Sequence, residues 1–519
     1  MKNRYFPYLI GLFLFIIALV IGFCTYKDYG ISWDETDQRF IGNLSYDYIM
    51  NGKNDLLTYA YKNYGTGFEI PLIFFEKWFK LTDIRDIYFM RHLVTHILFL
   101  VSALSIYVLS FRLTRNVVIA SLCFVMLAFA PRIYAHSFFN TKDIPFLCLF
   151  LITLSVCQYA FDKNKASLYL LLGLLTGYTT SVRVMGIMLC GFIGIFLLLD
   201  LLAEKKKNVP LKKPALNLGL FAGGFCCALY IAWPYLWRNP IGNFIESYNV
   251  MSHYNWDASV LLRGVYEHTT ELPWDYFPTW FVITTPVLWI LIGVAGMAFI
   301  IRDFIKNPKL FIQNTPERNY LLFFVCFLIP VIAVIKLHAI VYDDWRHLYF
   351  VYPSFVLAGV YFLNKIFINK FKYIVIGLSA IQLCLLGFFF MKFHPYQQVY
   401  FNELVSHEEE YLRDNYELEY WGCSFKQALE HLVAAVPAGV IKIACNYEDP
   451  VKHNIIMLNP KDRDRIEFVK NVTDADYFVT NFRGHKEDYP SKNIEMNIMV
   501  LNSSIMRIYK IKGTPVTAK

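Results

Sequence analysis

Charged residues are scarce in this sequence. Asp, Glu, Lys and Arg make up 17% of its 519 residues, whereas 56% are hydrophobic. A typical soluble domain is about 25% charged and about 45–50% apolar. The apolar residues stand in long blocks rather than spread along the chain. The composition therefore excludes an ordinary soluble enzyme and indicates a membrane body with polar loops and a polar tail.

Several binding motifs are missing as well. The sequence has neither a Walker A nor a Rossmann glycine fingerprint, so no nucleotide site is expected. None of its 11 cysteines has zinc-finger or redox spacing. Only Cys423 and Cys445 lie in the polar tail, where they are candidates for a disulfide in an oxidising compartment. The net charge of +8 resides mainly in short loops rather than in a basic helix, which argues against a nucleic-acid partner.

The apolar blocks predict about eleven membrane-spanning helices. The first block is too long for the apolar core of a signal peptide, and no A-x-A-like cleavage site follows it. It is therefore predicted to remain as the first span. By the rule of about 20 apolar residues per span, the predicted spans are roughly 6–25, 87–110, 117–131, 144–161, 167–181, 184–202, 215–236, 278–301, 319–337, 348–364 and 373–392.

The distribution of Lys and Arg predicts the orientation. With the N-terminus in the cytoplasm, the Lys-rich short loops, such as "EKKKNVPLKK" at 204–213, all lie on the cytoplasmic side. The opposite side then receives a first outer loop at 26–86, two further polar segments and the tail. We therefore divide the chain into a transmembrane body, 1–392, and a periplasmic α/β domain, 393–519, with a helix near 425–436 and β-like runs at 440–445, 476–482 and 506–511.

Two adjacent carboxylates, Asp34 and Glu35, follow the first span closely. A solvated helix end is the ordinary explanation for such a pair. Their neighbours Ile31 and Trp33 are apolar, however, and a charge at the lipid boundary is costly unless it is used. We predict that a carboxylate here acts as a general base on a hydroxyl group at the water–lipid boundary.

The outer segment "PRIYAHSFFNTKDIP", 131–145, is the second candidate. Arg132 and Lys142 lie on the side of the membrane that should be poor in basic residues, and both side chains suit a phosphate group. Asp143 is a candidate to pair with a cation or to orient an acceptor, and His136 and Asn140 are candidate supporting residues. An outer turn with an ordinary ion pair is the alternative.

Two arginines in other segments are further candidates for phosphate binding. Arg183 stands between two apolar stretches, where snorkelling at a helix end is the alternative. Arg346 opens a predicted helix, whose N–H groups favour an anion, while a surface ion pair is the alternative. His338 and His347 are candidate supporting residues. They leave a metal ligand set incomplete, so no metal and no other cofactor is expected.

The order of these motifs resembles that of the GT-C fold glycosyltransferases, in particular bacterial relatives of protein O-mannosyltransferases and aminoarabinose transferases (family 39/83-like). The resemblance covers roughly residues 1–430. It rests on "SWDE" (32–35), "HSFFNTKDIP" (136–145), "GLLTGYTTSVRVMGI" (173–187), "LPWDYFPTWFVITTP" (272–286), "DDWRHLYFVYP" (343–353), "HPYQQVYFNEL" (394–404) and "YELEYWGCSFKQAL" (416–429).

The resemblance implies an inverting transferase in the bacterial cytoplasmic (inner) membrane. Such an enzyme moves a sugar from a polyprenyl-phosphate donor to an envelope acceptor on the outer face. The acceptor is left open between lipid A, another glycan, a lipid and a protein. The implied catalytic residues are Asp34, Glu35 and Asp143, and the expected donor-phosphate contacts are Lys142, Arg183 and Arg346, with Arg132 added from its position in the second outer segment.

Two other functions fit a multi-pass chain. A transporter or flippase of lipid-linked glycans needs a polar path across the bundle, but the predicted polar groups gather on one face. A non-catalytic scaffold that displays the tail predicts that cutting the chain near residue 393 removes all function. An enzyme whose site lies in the first outer loops is expected to keep some activity after that cut.

Overall fold

The computed structural model describes residues 5–206, 211–252, 256–313 and 316–511, and these are mostly helical. In chain order the α-helices are α1 (Phe6–Thr25), α2 (Glu35–Asn51), α3 (Asp55–Thr58), α4 (Glu69–Trp78), α5 (Ile84–Thr114), α6 (Val117–Ala128), α7 (Pro131–Phe139), α8 (Asp143–Lys163), α9 (Ala166–Val182), α10 (Gly186–Lys206), α11 (Lys212–Ala232), α12 (Pro240–Ser252), α13 (Tyr276–Thr284), α14 (Val287–Lys306), α15 (Pro308–Ile312), α16 (Pro316–Lys336), α17 (Tyr352–Ile366), α18 (Lys372–Phe393), α19 (Tyr411–Asn415), α20 (Phe425–Ala435), α21 (Glu448–Ile455) and α22 (Pro460–Arg463). Short 3-10 helices cover Pro234–Leu236, Arg346–Val351, Gln397–Val399 and Val472–Asp474.

Each of the eleven predicted spans contains a helix. Eight helices of the described chain are long and apolar enough to cross a membrane, namely α1, α5, α8, α10, α11, α14, α16 and α18. The pair α6 and α7 forms a ninth candidate that is bent by 59°, since Pro131 begins α7 and cannot continue the hydrogen bonds of α6. The two remaining predicted spans contain the shorter helices α9 and α17, of 17 and 15 residues. The predicted multi-pass helical architecture is confirmed, with eight or nine spans by length where the sequence predicted about eleven.

Polar contacts sort the helix ends into two groups. Three ion pairs join ends that were predicted to be cytoplasmic: Arg112–Asp162 at 2.9 Å, Arg318–Asp200 at 2.7 Å and Lys365–Asp303 at 2.7 Å. At the opposite ends, Arg346 pairs with Asp34 at 3.1 Å. The alternation of the loops across the membrane, and which group of helix ends faces the cytoplasm, stay predictions.

The first outer loop is held to the bundle by buried charges. Arg91 of α5 is fully buried and pairs with Glu69 and Glu76 of α4, and Arg39 of α2 also pairs with Glu76, at 3.0 Å. Removing one member of a buried pair costs about 3–5 kcal/mol. These pairs therefore fix α2 and α4, and with them the start of α2, at Glu35.

The first outer loop also reaches the end of α9 at a close backbone approach. A Cβ atom on Gly65 would lie 2.2 Å from the carbonyl oxygen of Ser181, so no larger residue fits there without a shift. The Gly67 N–H donates to the same carbonyl at 3.1 Å, and the Tyr178 hydroxyl donates to the Gly67 carbonyl at 2.7 Å. This contact places the chain just before Arg183 beside the first outer loop.

The strands lie outside the bundle. They are β1 (Ser259–Leu262), β2 (Val265–His268), β3 (Ile441–Cys445), β4 (Ile466–Phe468), β5 (Tyr477–Thr480), β6 (Ile494–Val500) and β7 (Ser503–Lys510). β1 and β2 form an antiparallel hairpin, in which Ser259 pairs with His268. The tail holds a five-stranded sheet in the order β4-β3-β5-β7-β6, with β3 parallel to β4 and β5, and β7 antiparallel to β5 and β6. The predicted α/β character of the tail is confirmed. Cys423 and Cys445 are both free thiols.

The tail packs directly on the loop that carries Asp34. The Asn454 side chain accepts from the Ile31 N–H and donates to the Ile31 carbonyl, both at 3.0 Å. A Cβ atom on Gly30 would lie 2.3 Å from the Cys423 carbonyl oxygen. The tail and the first outer loop therefore cover the same end of the bundle. The division of the chain at 392 and 393 stays a prediction.

Candidate active site

Asp34 and Arg346 meet at the end of the bundle covered by the first loop and the tail. Asp34 occupies the N-cap position of α2, and Arg346 begins the 3-10 helix before α17. Arg346 Nη1 lies 3.1 Å from Asp34 Oδ2. The Asp34 side chain is 46% exposed and the Arg346 side chain only 5%. The carboxylate thus stays accessible while its cationic partner is buried.

A second carboxylate and a second arginine extend this pair inward. Arg346 Nη1 also lies 3.5 Å from Asp143 Oδ2, and the Asp143 side chain is 2% exposed. Arg183, directly after α9, forms an ion pair with the other oxygen of Asp143. Asp34, Arg346, Asp143 and Arg183 therefore form one chain of alternating charges, which we call the charge chain. The structure brings together four of the residues that the sequence predicted, from four separate segments.

Lys142 lies beside the charge chain without joining it. Its Nζ donates to the Gly65 carbonyl at 2.6 Å and stands 4.9 Å from the centre of the Tyr64 ring. No carboxylate oxygen among the described residues lies within 4.0 Å of it. Burial and, to a smaller extent, Arg183 together lower the pKa of Lys142 to about 7, against the opposite effect of nearby carboxylates. Near neutral pH this amine is therefore poised between its charged and neutral forms.

Glu35 points away from its neighbour Asp34. Its side chain is 1% exposed and accepts the Ser32 N–H at 2.9 Å. Its other oxygen lies 3.2 Å from Nε2 of His92 on α5. These contacts fix the turn between α1 and α2. Glu35 is therefore placed to hold Asp34 in position, and its own carboxylate does not face Arg346 as that of Asp34 does.

Arg132 is buried in a different network. It donates from Nη1 to Asp344 Oδ2 at 3.0 Å and from Nε to the Tyr400 carbonyl at 3.1 Å. Asp344 also accepts the hydroxyls of Tyr349 and Tyr420, at 3.0 Å and 2.7 Å. Burial raises the pKa of Asp344, although Arg132 and the hydroxyls act in the opposite direction. The structure does not bring Arg132 into the charge chain.

Asn140 and His136 support the charge chain from α7. The Asn140 amide donates to Asp143 Oδ2 at 2.8 Å, and its oxygen accepts the Asp143 N–H at 2.8 Å. His136 accepts the Trp421 indole N–H at 3.1 Å, and Trp421 lies under the Arg346 guanidinium at 4.6 Å. Both residues therefore orient members or neighbours of the chain.

The two remaining histidines lie in different places. His347 packs edge-on against Tyr342, with ring centres 4.7 Å apart. Burial lowers the pKa of His347 well below its ordinary value, and Arg346 and Arg183 lower it further. It therefore stays neutral beside the charge chain. His338 is exposed after the end of α16 and lies outside the site. Among the described residues, no three His, Cys, Asp or Glu side chains are grouped to hold a metal ion.

Sequence reasoning missed the contribution of the tail. Arg483 follows β5 and pairs with Asp343 Oδ1 at 3.0 Å, while Asp343 also lies 3.6 Å from Arg346. The Arg483 guanidinium stands 5.3 Å from the Trp33 ring. No sequence spacing links residue 483 to residue 343, so only tertiary packing reveals this contact. The tail thus supplies Arg483 and Trp421 to the surroundings of Asp34.

The arrangement suits a reaction at an anionic leaving group. Fixed cations shielded from water stabilise negative charge that develops during a reaction. Arg346, the partly buried Arg183 and the protonated form of Lys142 are such cations. A half-exposed carboxylate next to them is able to accept a proton from a hydroxyl group.

Comparison with known proteins finds one family model and several solved structures similar to this chain. Residues 86–233 match the family model described as dolichyl-phosphate-mannose-protein mannosyltransferase. No curated protein matches the sequence. A crystal structure of the Archaeoglobus fulgidus oligosaccharyltransferase, tethered with an acceptor peptide containing the NVT sequon, is 12% identical, with 93% of this chain and 70% of that chain covered and a TM-score of 0.48. ArnT from Cupriavidus metallidurans bound to undecaprenyl phosphate is 10% identical, with 98% of both chains covered and a TM-score of 0.47. The family match confirms the resemblance to membrane glycosyltransferases, over the stretch of chain that contains Arg132, Lys142, Asp143 and Arg183.

Proposed function

We propose that this protein is an inverting glycosyltransferase that moves a sugar from a polyprenyl-phosphate donor to an envelope acceptor. The observation that carries the proposal is the charge chain, in which one accessible carboxylate, Asp34, stands at the head of a buried arginine, Arg346, and a partly buried one, Arg183. The description of the matched family names a dolichyl-phosphate-linked sugar as the donor. Dolichyl phosphate is a polyprenyl phosphate, so the match supports the same class of donor for this protein.

In the proposed reaction, Asp34 removes the proton of the acceptor hydroxyl. The acceptor oxygen then attacks the anomeric carbon of the sugar, and the bond from that carbon to the phosphate oxygen breaks. The polyprenyl phosphate leaves with the bonding electrons, and the proton ends on Asp34. One displacement inverts the anomeric configuration. Arg346, Arg183 and Lys142 hold the phosphate, and Asp143 keeps both arginines in place.

The remaining candidates have supporting roles in this proposal. Glu35 fixes the turn that presents Asp34, and Asn140 orients Asp143. His136 and His347 pack beside the charge chain. Arg132 acts at a distance, by holding Asp344 against the tail. His338 has no role in the proposed step.

We further propose that the reaction occurs on the outer face of the bacterial cytoplasmic (inner) membrane. The support is the distribution of Lys and Arg, which puts the charge-chain end of the bundle outside. The body, 1–392, then carries the spans, and the periplasmic tail, 393–519, covers the site. Lipid A, another envelope glycan, a lipid and a protein are all acceptors with the hydroxyl that the step requires.

The test is transfer by purified protein in vesicles supplied with a polyprenyl-phosphate sugar and envelope extract. Asp34→Asn removes the base and is expected to lower the rate by about 10²–10⁴-fold. Asp28→Asn is a matched control, since Asp28 lies in the same loop, is also 46% exposed and pairs with His394 rather than with an arginine. Full activity of Asp34→Asn, or an equal loss in both variants, refutes the assignment. Movement of the intact donor across the vesicle membrane without transfer indicates a flippase instead.

A further inference from the structure

A pocket lined by three cationic and two acidic side chains lies at the junction of the first two spans and the tail, and its acidic members are Glu430 and Asp462. Its volume is about 380 Å³, within the usual range of ligand pockets, about 300–1,000 Å³. Lys27, just beyond α1, Arg85, in the first turn of α5, and Lys426, in the first turn of α20, contribute the cationic groups. None of its lining residues belongs to the charge chain, so the pocket is separate from the proposed active site.

Two of these cations gather around one aromatic ring. Lys27 Nζ lies 5.6 Å and Arg85 Cζ lies 6.0 Å from the centre of the Phe89 ring. Two like charges held near one ring repel each other, and each cation–π contact is worth only about 0.5–1 kcal/mol at an exposed site. An anion between the two groups would relieve this repulsion.

The carboxylates near the pocket already have partners. The pairs are Glu430–Lys426 at 3.2 Å, Asp462–Arg465 at 2.9 Å and Asp83–Arg463 at 2.7 Å. No carboxylate oxygen of the described residues lies within 4.0 Å of Lys27. Arg85 Nη1 donates to the neutral Asn459 side chain at 2.9 Å, and its buried Nε has no hydrogen-bond partner in the described chain. The pocket therefore presents two cationic groups, Lys27 and Arg85, that no carboxylate oxygen of the described residues approaches within 4.0 Å.

We infer that this pocket binds a phosphate group, carried either by a membrane lipid or by a small soluble molecule. Arginine and lysine are the side chains that bind phosphate, the first through directed N–H donors and the second as a point charge. The pocket begins where α1 ends and α5 starts, so it lies at the depth of lipid head groups. The inference does not depend on the proposed glycosyl transfer.

The test uses the purified full chain in a non-ionic detergent and follows its thermal unfolding. The three probes are phosphatidylglycerol, diacylglycerol without a phosphate, and inorganic phosphate. The pocket variant is Lys27→Gln, and Lys27→Arg restores the charge. Lys392→Gln is the matched control, because Lys392 is exposed in the last turn of α18, lies beside the Phe388 and Phe393 rings and has no carboxylate oxygen of the described residues within 4.0 Å.

Phosphatidylglycerol is expected to raise the unfolding temperature saturably, and diacylglycerol is not. The half-saturating concentration should rise about fivefold in Lys27→Gln, return in Lys27→Arg and stay unchanged in Lys392→Gln. If inorganic phosphate also stabilises the protein, a soluble phosphate is sufficient for binding to the pocket. If the phospholipid alone stabilises it, the ligand is a lipid head group. The inference is overturned if phosphatidylglycerol and diacylglycerol have equal effects or if no probe has any effect. It is also overturned if binding weakens equally in the two glutamine variants, or if Lys27→Arg does not recover it.

Discussion

Replacement of Arg346 by methionine tests whether the charge chain stabilises the fold as well as the proposed transition state. Methionine keeps an unbranched side chain over Trp421 but removes the positive charge. Asp34 and Asp143 then lose the cation that they share, at 3.1 Å and 3.5 Å, whereas Asp343, which lies 3.6 Å from Arg346, keeps its closer partner Arg483. Asp34 and Asp143 differ in burial, so the loss of Arg346 affects them unequally.

The expected cost follows from that difference. Removing one partner of a buried ion pair costs about 3–5 kcal/mol. Asp143 is 2% exposed, but it keeps Arg183 and the Asn140 amide as partners. The free-energy cost of its lost pair with Arg346 is therefore at the lower limit of that range. Asp34 is 46% exposed, so the loss of its pair adds about 1 kcal/mol or less. We therefore expect Arg346→Met to lower the free energy of unfolding by about 3 kcal/mol.

Chemical denaturation in mixed micelles, followed by tryptophan fluorescence, measures this change. Arg302→Met is the control, because Arg302 is 48% exposed, forms an ion pair with its neighbour Asp303 and lies over the Phe299 ring at 4.3 Å. Its expected change is within about 0.5 kcal/mol. A cost below about 1 kcal/mol refutes the reasoning about the buried charges.

Two further predictions concern side chains around the charge chain. Lys142 has a pKa of about 7 and loses its charge as the pH rises, so kcat/KM for the donor should fall about tenfold between pH 6 and 8 in initial-rate assays. Lys142→Arg, which stays protonated, should flatten that profile, and an unchanged profile contradicts the assignment. Arg483→Gln leaves Arg346 as the remaining arginine partner of Asp343. Asp343 then pulls the Arg346 side chain away from Asp34, and transfer should slow about tenfold. Adding Asp343→Asn should restore the rate, and a failure to recover contradicts the proposed competition.

The sequence predicts the convergence of Asp34, Asp143, Arg183 and Arg346 for a simple physical reason. Each residue lies at the end of an apolar block, and alternate blocks end on the same side of a membrane. The residues therefore meet even though they lie more than 300 positions apart, as Arg346 and Asp34 do. Counting spans was less successful, because α9 and α17 are shorter than a membrane-spanning length of about 20 residues.

The direction of each side chain is not readable from the sequence. Asp34 and Glu35 are adjacent, but Asp34 faces Arg346 while Glu35 turns toward His92, a residue of a different helix. Arg132 and Lys142 stand in the same short segment, but the bend before α7 buries Arg132 against Asp344. In both cases the partner on another element decides the orientation, and a single sequence gives no signal for it.

The tail contacts change what a truncation experiment is able to decide. From the sequence, a cut near residue 393 was expected to separate a scaffold from an enzyme, because the proposed catalytic residues precede it. In the structure that cut removes Trp421 from beneath Arg346 and Arg483 from beside Asp343. It also exposes Asp344, which the Tyr420 hydroxyl now helps to bury. Loss of function after truncation therefore follows from either hypothesis, and only a substitution such as Asp34→Asn, which leaves the tail in place, distinguishes them.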